Sequence, residues 1–247
     1  MDVILDQKSL LTGGKILGQI LAELKSMVAP GLATGDLENR ARDLIKKASA
    51  KPAFLGYQKY PAVLCTCVNE GIVHCVPRAD EILKSGDIIS LDLGIQYRGY
   101  YFDAAITVVV GEVPAEARRL ILVTKKALKR GLKKARAGNT VGDIGNTISR
   151  YVESQGFTVV KDLCGHGIGK KLHELPEICN FGQRHHGETL KVGQLICIEP
   201  MVAAGRDWRI KHTQDGIGWQ TMDGSLAAHF EHTLLVRQDD CLVLTEP

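Results

Sequence analysis

The chain has 247 residues, with 45% hydrophobic and 24% charged side chains and a formal net charge of +3. These are the proportions of a globular protein long enough to bury a substantial core, and so small a charge excludes nucleic-acid binding driven by net charge alone. No apolar run approaches the roughly 20 residues that cross a bilayer, and no basic segment precedes an apolar core at the N-terminus, so a cytoplasmic protein without membrane attachment is expected.

In chain order, residues 14–28 place Ile16, Leu17, Ile20, Leu21, Leu24 and Val28 at helical spacing, and Pro30 with Gly31 stops that helix. Thr34 and Asp36 are suited to cap a second helix through Leu37, Ala41, Leu44, Ile45 and Ala48. β-Branched and aromatic residues predict strands at 63–68, 88–93 and 100–110. The plan then recurs. A helix over 115–137 ends at Gly138, a second opens at Thr140, Gly142 and Asp143, and strands are predicted at 158–161, 195–198 and 230–236.

The recurrence is visible residue by residue. Glu81, Leu83, Lys84, Gly86 and Ile89 reappear as Glu188, Leu190, Lys191, Gly193 and Ile196, a constant shift of 107 positions (Gly86 to Gly193). Gly31, Gly35 and Asp36 obey the same shift, to Gly138, Gly142 and Asp143. A repeat of this length means two copies of one supersecondary unit rather than a solenoid. No low-complexity linker separates them. The expected architecture is α+β: one domain over 1–247, with halves of roughly 10–110 and 115–240 sharing a curved, mostly antiparallel sheet covered by helices. The seven cysteines are an odd number without a C-x-x-C pair, which reads as free, mostly buried thiols in a reducing compartment.

Five residues stand out as candidate metal ligands: Asp92, Asp103, His166, Glu199 and Glu231. Asp92 and Glu199 occupy equivalent ends of the two copies, among the apolar residues Leu91, Leu93, Ile196 and Ile198. A hairpin turning near Tyr97 and Arg98 would face Asp92 with Asp103. A longer one turning at Asp215-Gly216 would face Glu199 with Glu231. Taken singly, each acid reads as a surface charge. Four together in apolar company cannot all stay ionised alone, and two divalent cations would neutralise them. Oxygen donors with one imidazole suit Mn, Fe, Co or Zn.

At these residues the chain resembles the type I methionine aminopeptidases, which have the pita-bread fold. The resemblance rests on Val68-Asn69-Glu70 leading to His74 and Pro77, on Asp92 and Asp103, on Gly165-His166-Gly167-Ile168-Gly169, on His173-Glu174, on Ile198-Glu199-Pro200-Met201 and on Glu231-His232-Thr233. It implies removal of an initiator methionine at a dinuclear metal centre. Asp92, Asp103, His166, Glu199 and Glu231 would be the ligands, with Asp103 and Glu231 bridging. Glu199 would also carry the proton. His74 would contact substrate near the scissile bond, and His173 the peptide carbonyl. Tyr57, Tyr60 and Cys65 would line the methionine pocket, since aromatic and sulfur walls suit a thioether.

The chain departs from the family pattern at Phe54, Cys75, Leu172, Leu175 and His229, and Trp219 stands two residues beyond the usual tryptophan position, here Ile217. His229 occupies a position where Gln is usual. The start of the chain close to the catalytic segment, and the short interval from Glu199 to Glu231, favour a compact bacterial-type member. The expected partner is a peptide or nascent-chain N-terminus beginning with Met, met by a monomer. A basic stretch (Lys125, Lys126, Lys129, Arg130, Lys133, Lys134 and Arg136) reads either as a solvated helix face or as a transient ribosome contact. The competing functions are an Xaa-Pro aminopeptidase or dipeptidase of the same fold and a non-catalytic binding module.

Overall fold

The computed structural model describes residues 6–247. The reading of the N-terminal segment falls largely on residues 1–5, outside that range. Among the described residues there are four α-helices: α1 (Gln7–Met27), α2 (Thr34–Lys47), α3 (Ala115–Leu132) and α4 (Val141–Ser154). Helix α1 begins at Gln7 rather than Gly14, because Asp6 caps it by accepting a 3.1 Å hydrogen bond from the Ser9 N–H. The expected Thr34 cap is a correction. Thr34 is already helical, and its hydroxyl bonds the Arg78 backbone instead (O 3.0 Å, N 2.9 Å). Helix α4 keeps its predicted start, with Thr140 and Asp143 forming a reciprocal capping box.

The central sheet has nine strands and runs through both halves. Along its main path lie Lys51–Pro52, Ile88–Tyr97, Tyr100–Val109, Glu231–Val236, Leu195–Ile198, Cys164–Gly167 and Glu174–Cys179, with Leu64–Val68 beside Ile88–Tyr97 and Cys241–Val243 beside Glu231–Val236. Every pairing in it is antiparallel. Two further three-stranded sheets flank it. Helix α1 packs on Ile88–Tyr97 and Tyr100–Val109, and α3 and α4 cover the second half. Helix α1 buries the face of Ile89, Leu91, Leu93 and Ile95, while Ser90 and Asp92 are buried on the opposite face beside Thr107 and the other acids, so residues 88–95 are buried without alternation. Helix α1 comes this close because Gly13 faces the Phe102 ring and Gly14 faces the Leu244 carbonyl, leaving no space for a Cβ.

The duplication is drawn in hydrogen bonds. Gly31 N–H donates to Leu83 O (2.8 Å) and Leu83 N–H to Leu32 O (2.9 Å). The same bonds recur from Gly138 to Leu190 (3.0 Å) and from Leu190 to Asn139 (2.8 Å). Gly31 and Gly138 turn with φ of +90° and +85°, the left-handed region glycine enters freely.

Cys164 and Cys179 correct the reading of the thiols. They face each other across an antiparallel pair with Cα atoms 4.3 Å apart and are joined as a disulfide, while Cys65, Cys67, Cys75, Cys197 and Cys241 are free. Two facing Cβ atoms in one strand pair are close enough to bridge, which spacing along the sequence does not reveal.

Candidate metal centre

Four of the five candidate ligands sit on strands of the central sheet, and Glu199 directly follows the strand Leu195–Ile198 between two of them. In spatial order the five are Asp92, Asp103, Glu231, Glu199 and His166. Asp92 and Asp103 come from the first half, the others from the second.

The aspartates are not directly opposite, as the sequence reading had them. The turn is Arg98-Gly99, both with positive φ, so Tyr97 pairs with Tyr100. Asp92 then faces Ala105, and Asp103 faces Gly94. The offset is two residues, so both side chains still share one face. The second expectation holds. Ile198 pairs with His232, which brings Glu199 level with Glu231, and the long excursion between them turns at Thr213–Gly216.

All five are buried, with exposures between 2% for Glu231 and 9% for His166 and Glu199. Single oxygens of Asp92, Asp103 and Glu231 lie within 4.8 Å of one another. Asp92 Oδ1, Asp103 Oδ1 and Glu231 Oε1 have no hydrogen-bond partner among the described residues. Burial pushes the Asp92 carboxyl up to about 6. Burial, then the neighbouring carboxylates, hold Asp103, Glu199 and Glu231 further above the usual range. Buried, unpartnered carboxylate oxygens converging on one point are what a divalent cation satisfies, so the donor set fits one.

His166 is prepared in the same sense. Its Nδ1–H donates to Gly167 O at 2.8 Å, leaving the Nε2 lone pair free, 3.7 Å from Glu199 Oε1. Burial, then nearby His173, push its pKa down to about 4, so the ring is neutral near pH 7.

Above the acids opens a cavity of about 700 Å³ lined by all five and by Tyr57, Tyr60, Cys65, His74 and His173. His74 follows the strand Gly71–Val73 with φ +59°, a left-handed conformation uncommon outside glycine. Burial, then His173 and His229, lower its pKa to about 4. His173 Nδ1 is 2.8 Å from the Tyr57 hydroxyl, and its ring stands edge-on to His166 at 4.3 Å. The Tyr60 hydroxyl braces the wall, donating toward Leu64 O (2.9 Å) and Cys75 O (3.0 Å). Cys65 pairs with Asp92 in register and is fully buried.

Of the departures, Phe54, Leu172, Ile217 and Trp219 also line the cavity. The displaced Trp219 therefore still reaches it, stacked on His212 at 3.7 Å. Three residues near the acids had no role in the sequence reading. Cys197 has its sulfur in a cluster with His166 and Glu231, Asn180 Nδ2 donates to Glu199 O at 3.0 Å, and Thr233 bonds the backbone of Asp103. Thr233 and Cys197 each lie two residues from a ligand in a strand, a period that puts them on the same face.

A carboxylate-rich centre across the seam of a duplicated sheet is that of a metal-dependent hydrolase, and the chain belongs to metallopeptidase family M24, whose model matches residues 8–238. Among its relatives over nearly the whole chain are methionine aminopeptidases. That of Clostridium acetobutylicum is 44% identical over 94% of this chain and 92% of its own. Methionine aminopeptidase 1 of Bacillus subtilis is 39% identical over 94% and 93%. The crystal structure of methionine aminopeptidase from Thermotoga maritima superposes with a TM-score of 0.96 at 39% identity, covering all of both chains. Prolidase from Pyrococcus furiosus shares the fold, with a TM-score of 0.77 at 21% identity over 98% of this chain and 64% of that one.

Proposed function

We propose that this chain removes the N-terminal methionine from nascent proteins and peptides by metal-dependent hydrolysis. The observation that carries the reading is the set of five buried donors on or directly after adjacent strands, forming the floor of a cavity with imidazole and aromatic walls. Asp92, Asp103, His166, Glu199 and Glu231 would hold two divalent cations (Co, Mn, Fe or Zn). Bound there, the cations would supply Lewis acidity to the scissile carbonyl and make water a nucleophile at neutral pH.

The chain's own residues do the rest. Glu199 takes a proton from the attacking water as the C–O bond forms, and delivers it to the leaving nitrogen as the C–N bond breaks. Tyr57 O–H donates to His173 Nδ1, which keeps the proton on Nε2 for the developing oxyanion. Burial lowers the His173 pKa and favours the neutral ring this role needs. His74 meets the substrate beside the scissile bond. Tyr57, Tyr60 and Cys65 receive the methionine side chain.

The reading includes a cytoplasmic monomer, one catalytic unit over the whole chain, in which the exposed Lys125, Lys129 and Lys133 of the α3 region meet the ribosome. Hydrolysis of Met-Ala and Ala-Pro peptides under a series of metals tests it. Met-Ala cleavage that stops on chelation, and falls about 10²–10⁴-fold in Glu199→Gln, is expected. Preference for Ala-Pro would assign the chain to the Xaa-Pro peptidases instead. Absence of both turnover and stoichiometric metal would make it a binding module.

A further inference from the structure

His229 is the most enclosed imidazole in the molecule, 1% exposed, and neither ring nitrogen has a hydrogen-bond partner among the described residues. A histidine kept only for packing forfeits two polar atoms there, which is costly. Its backbone is clamped by Thr107, whose hydroxyl accepts from His229 N–H and donates to His229 O, both at 2.8 Å, while Ser90 Oγ lies 2.9 Å behind Thr107. His229 Nε2 stands 3.6 Å from Glu199 Oε2, while His166 Nε2 stands 3.7 Å from Glu199 Oε1. Glu199 is thus bracketed by two imidazoles, one on each oxygen.

We infer that His229 is a positioning residue for Glu199: its Nε2–H holds Oε2 and fixes the plane of the carboxylate, leaving Oε1 for the metal side. The inference rests on the proposed role of Glu199 as ligand and general base. Catalytic hydrogen bonds are often long without ligand and tighten in the working complex, and a separation of 3.6 Å is that of such a bond. The Gln usual at this position in the resembled family carries an amide N–H and can supply the same single donor.

The test compares His229→Leu, which fills the volume without a donor, with His229→Gln, which restores one. Metal-stripped proteins are titrated with Mn²⁺ by calorimetry, and steady-state kinetics are measured on a Met-Ala peptide. Losing a partner that orients a ligand typically costs about 10–100-fold in metal affinity or activity. His229→Leu should lose that much in Mn²⁺ affinity and in kcat, with KM within about twofold, and His229→Gln should stay within about threefold of wild type. Equal behaviour of the two variants overturns the inference. Should His229→Leu fail to fold, the ¹⁵N spectrum of wild type decides: the His229 proton on Nε2 is expected, and a proton on Nδ1 alone overturns it. A wild type that binds Mn²⁺ but cleaves no Met-Ala peptide refutes the proposed function, and leaves the Mn²⁺ titrations to judge His229.

Discussion

Thr233 joins the two halves at the point where the acids converge. Its hydroxyl accepts from Asp103 N–H at 2.9 Å and donates to Asp103 O at 2.8 Å, replacing ladder bonds that Tyr100–Val109 and Glu231–Val236 make only at Ala105 and Ala104. Thr233→Val keeps the shape and strands two buried backbone groups, so a loss of about 1–3 kcal/mol for each is expected in urea unfolding. Mn²⁺ affinity should fall with it, because Asp103 loses its anchor. At this scale the acids were legible only as a set, through the repeat and their shared apolar company, since each alone reads as a surface charge. Thr233, Asn180 and His229 were not, because a threonine or histidine in a strand looks the same whether it packs or positions a ligand. What distinguishes them is the partner opposite, which only the register supplies.

The elements carry the lesson of turn chemistry. Symmetry about the two aspartates puts the first hairpin's centre one residue too early. The two positive-φ residues Arg98 and Gly99 decide the register instead. The second hairpin was placed correctly because Asp215-Gly216 is a strong turn signal, and Gly216 adopts φ +74°. The helices were legible from their apolar stripes, and their first turns were less so, since α1 is capped ahead of its stripe and α2 has no side-chain cap. The cap of α4 is a complete box remote from the acids. Thr140→Ala should therefore cost about 1 kcal/mol of stability, read from the denaturation midpoint, while kcat on a Met-Ala peptide stays unchanged.

For the whole molecule, the sign of the charge balance predicts how metal and pH act together. In chelated protein the four carboxyls are raised above their unfolded values of about 4. The folded chain then binds extra protons, and this contribution is fully present below about 4 and lost as pH rises through the folded values, from about 6 upward. His74, His166 and His232 are lowered to about 4, chiefly by burial. Their contribution is present above an unfolded pKa of about 6.5 and lost as pH falls through about 4. Above about 6.5 the imidazoles no longer act. Thermal melts should show chelated protein losing stability relative to Mn²⁺-loaded protein as pH rises above about 4. A difference between the two that stays level with pH would remove the carboxyl cluster as its cause. The duplication made this fold readable at long range, because one offset assigned both halves at once. The disulfide from Cys164 to Cys179 obeyed no repeat and left no trace in the sequence.

The seam has one more consequence, for the direction in which a peptide lies. The floor is close to palindromic: an acid hairpin from each half, related by the repeat. Such a floor cannot by itself distinguish the amino end of a substrate from its carboxyl end. The flanking strands break the tie, since the one beside Asp92 brings Cys65 and Cys67 while the one beside Leu195–Ile198 brings His166. Tyr57 of the first copy and His173 of the second then close one wall together, and His74, also of the first copy, lines the same cavity. Orientation of the chain to be cut is therefore written in the unequal walls, which include Phe54, Leu172 and Trp219, three of the departures from the family pattern.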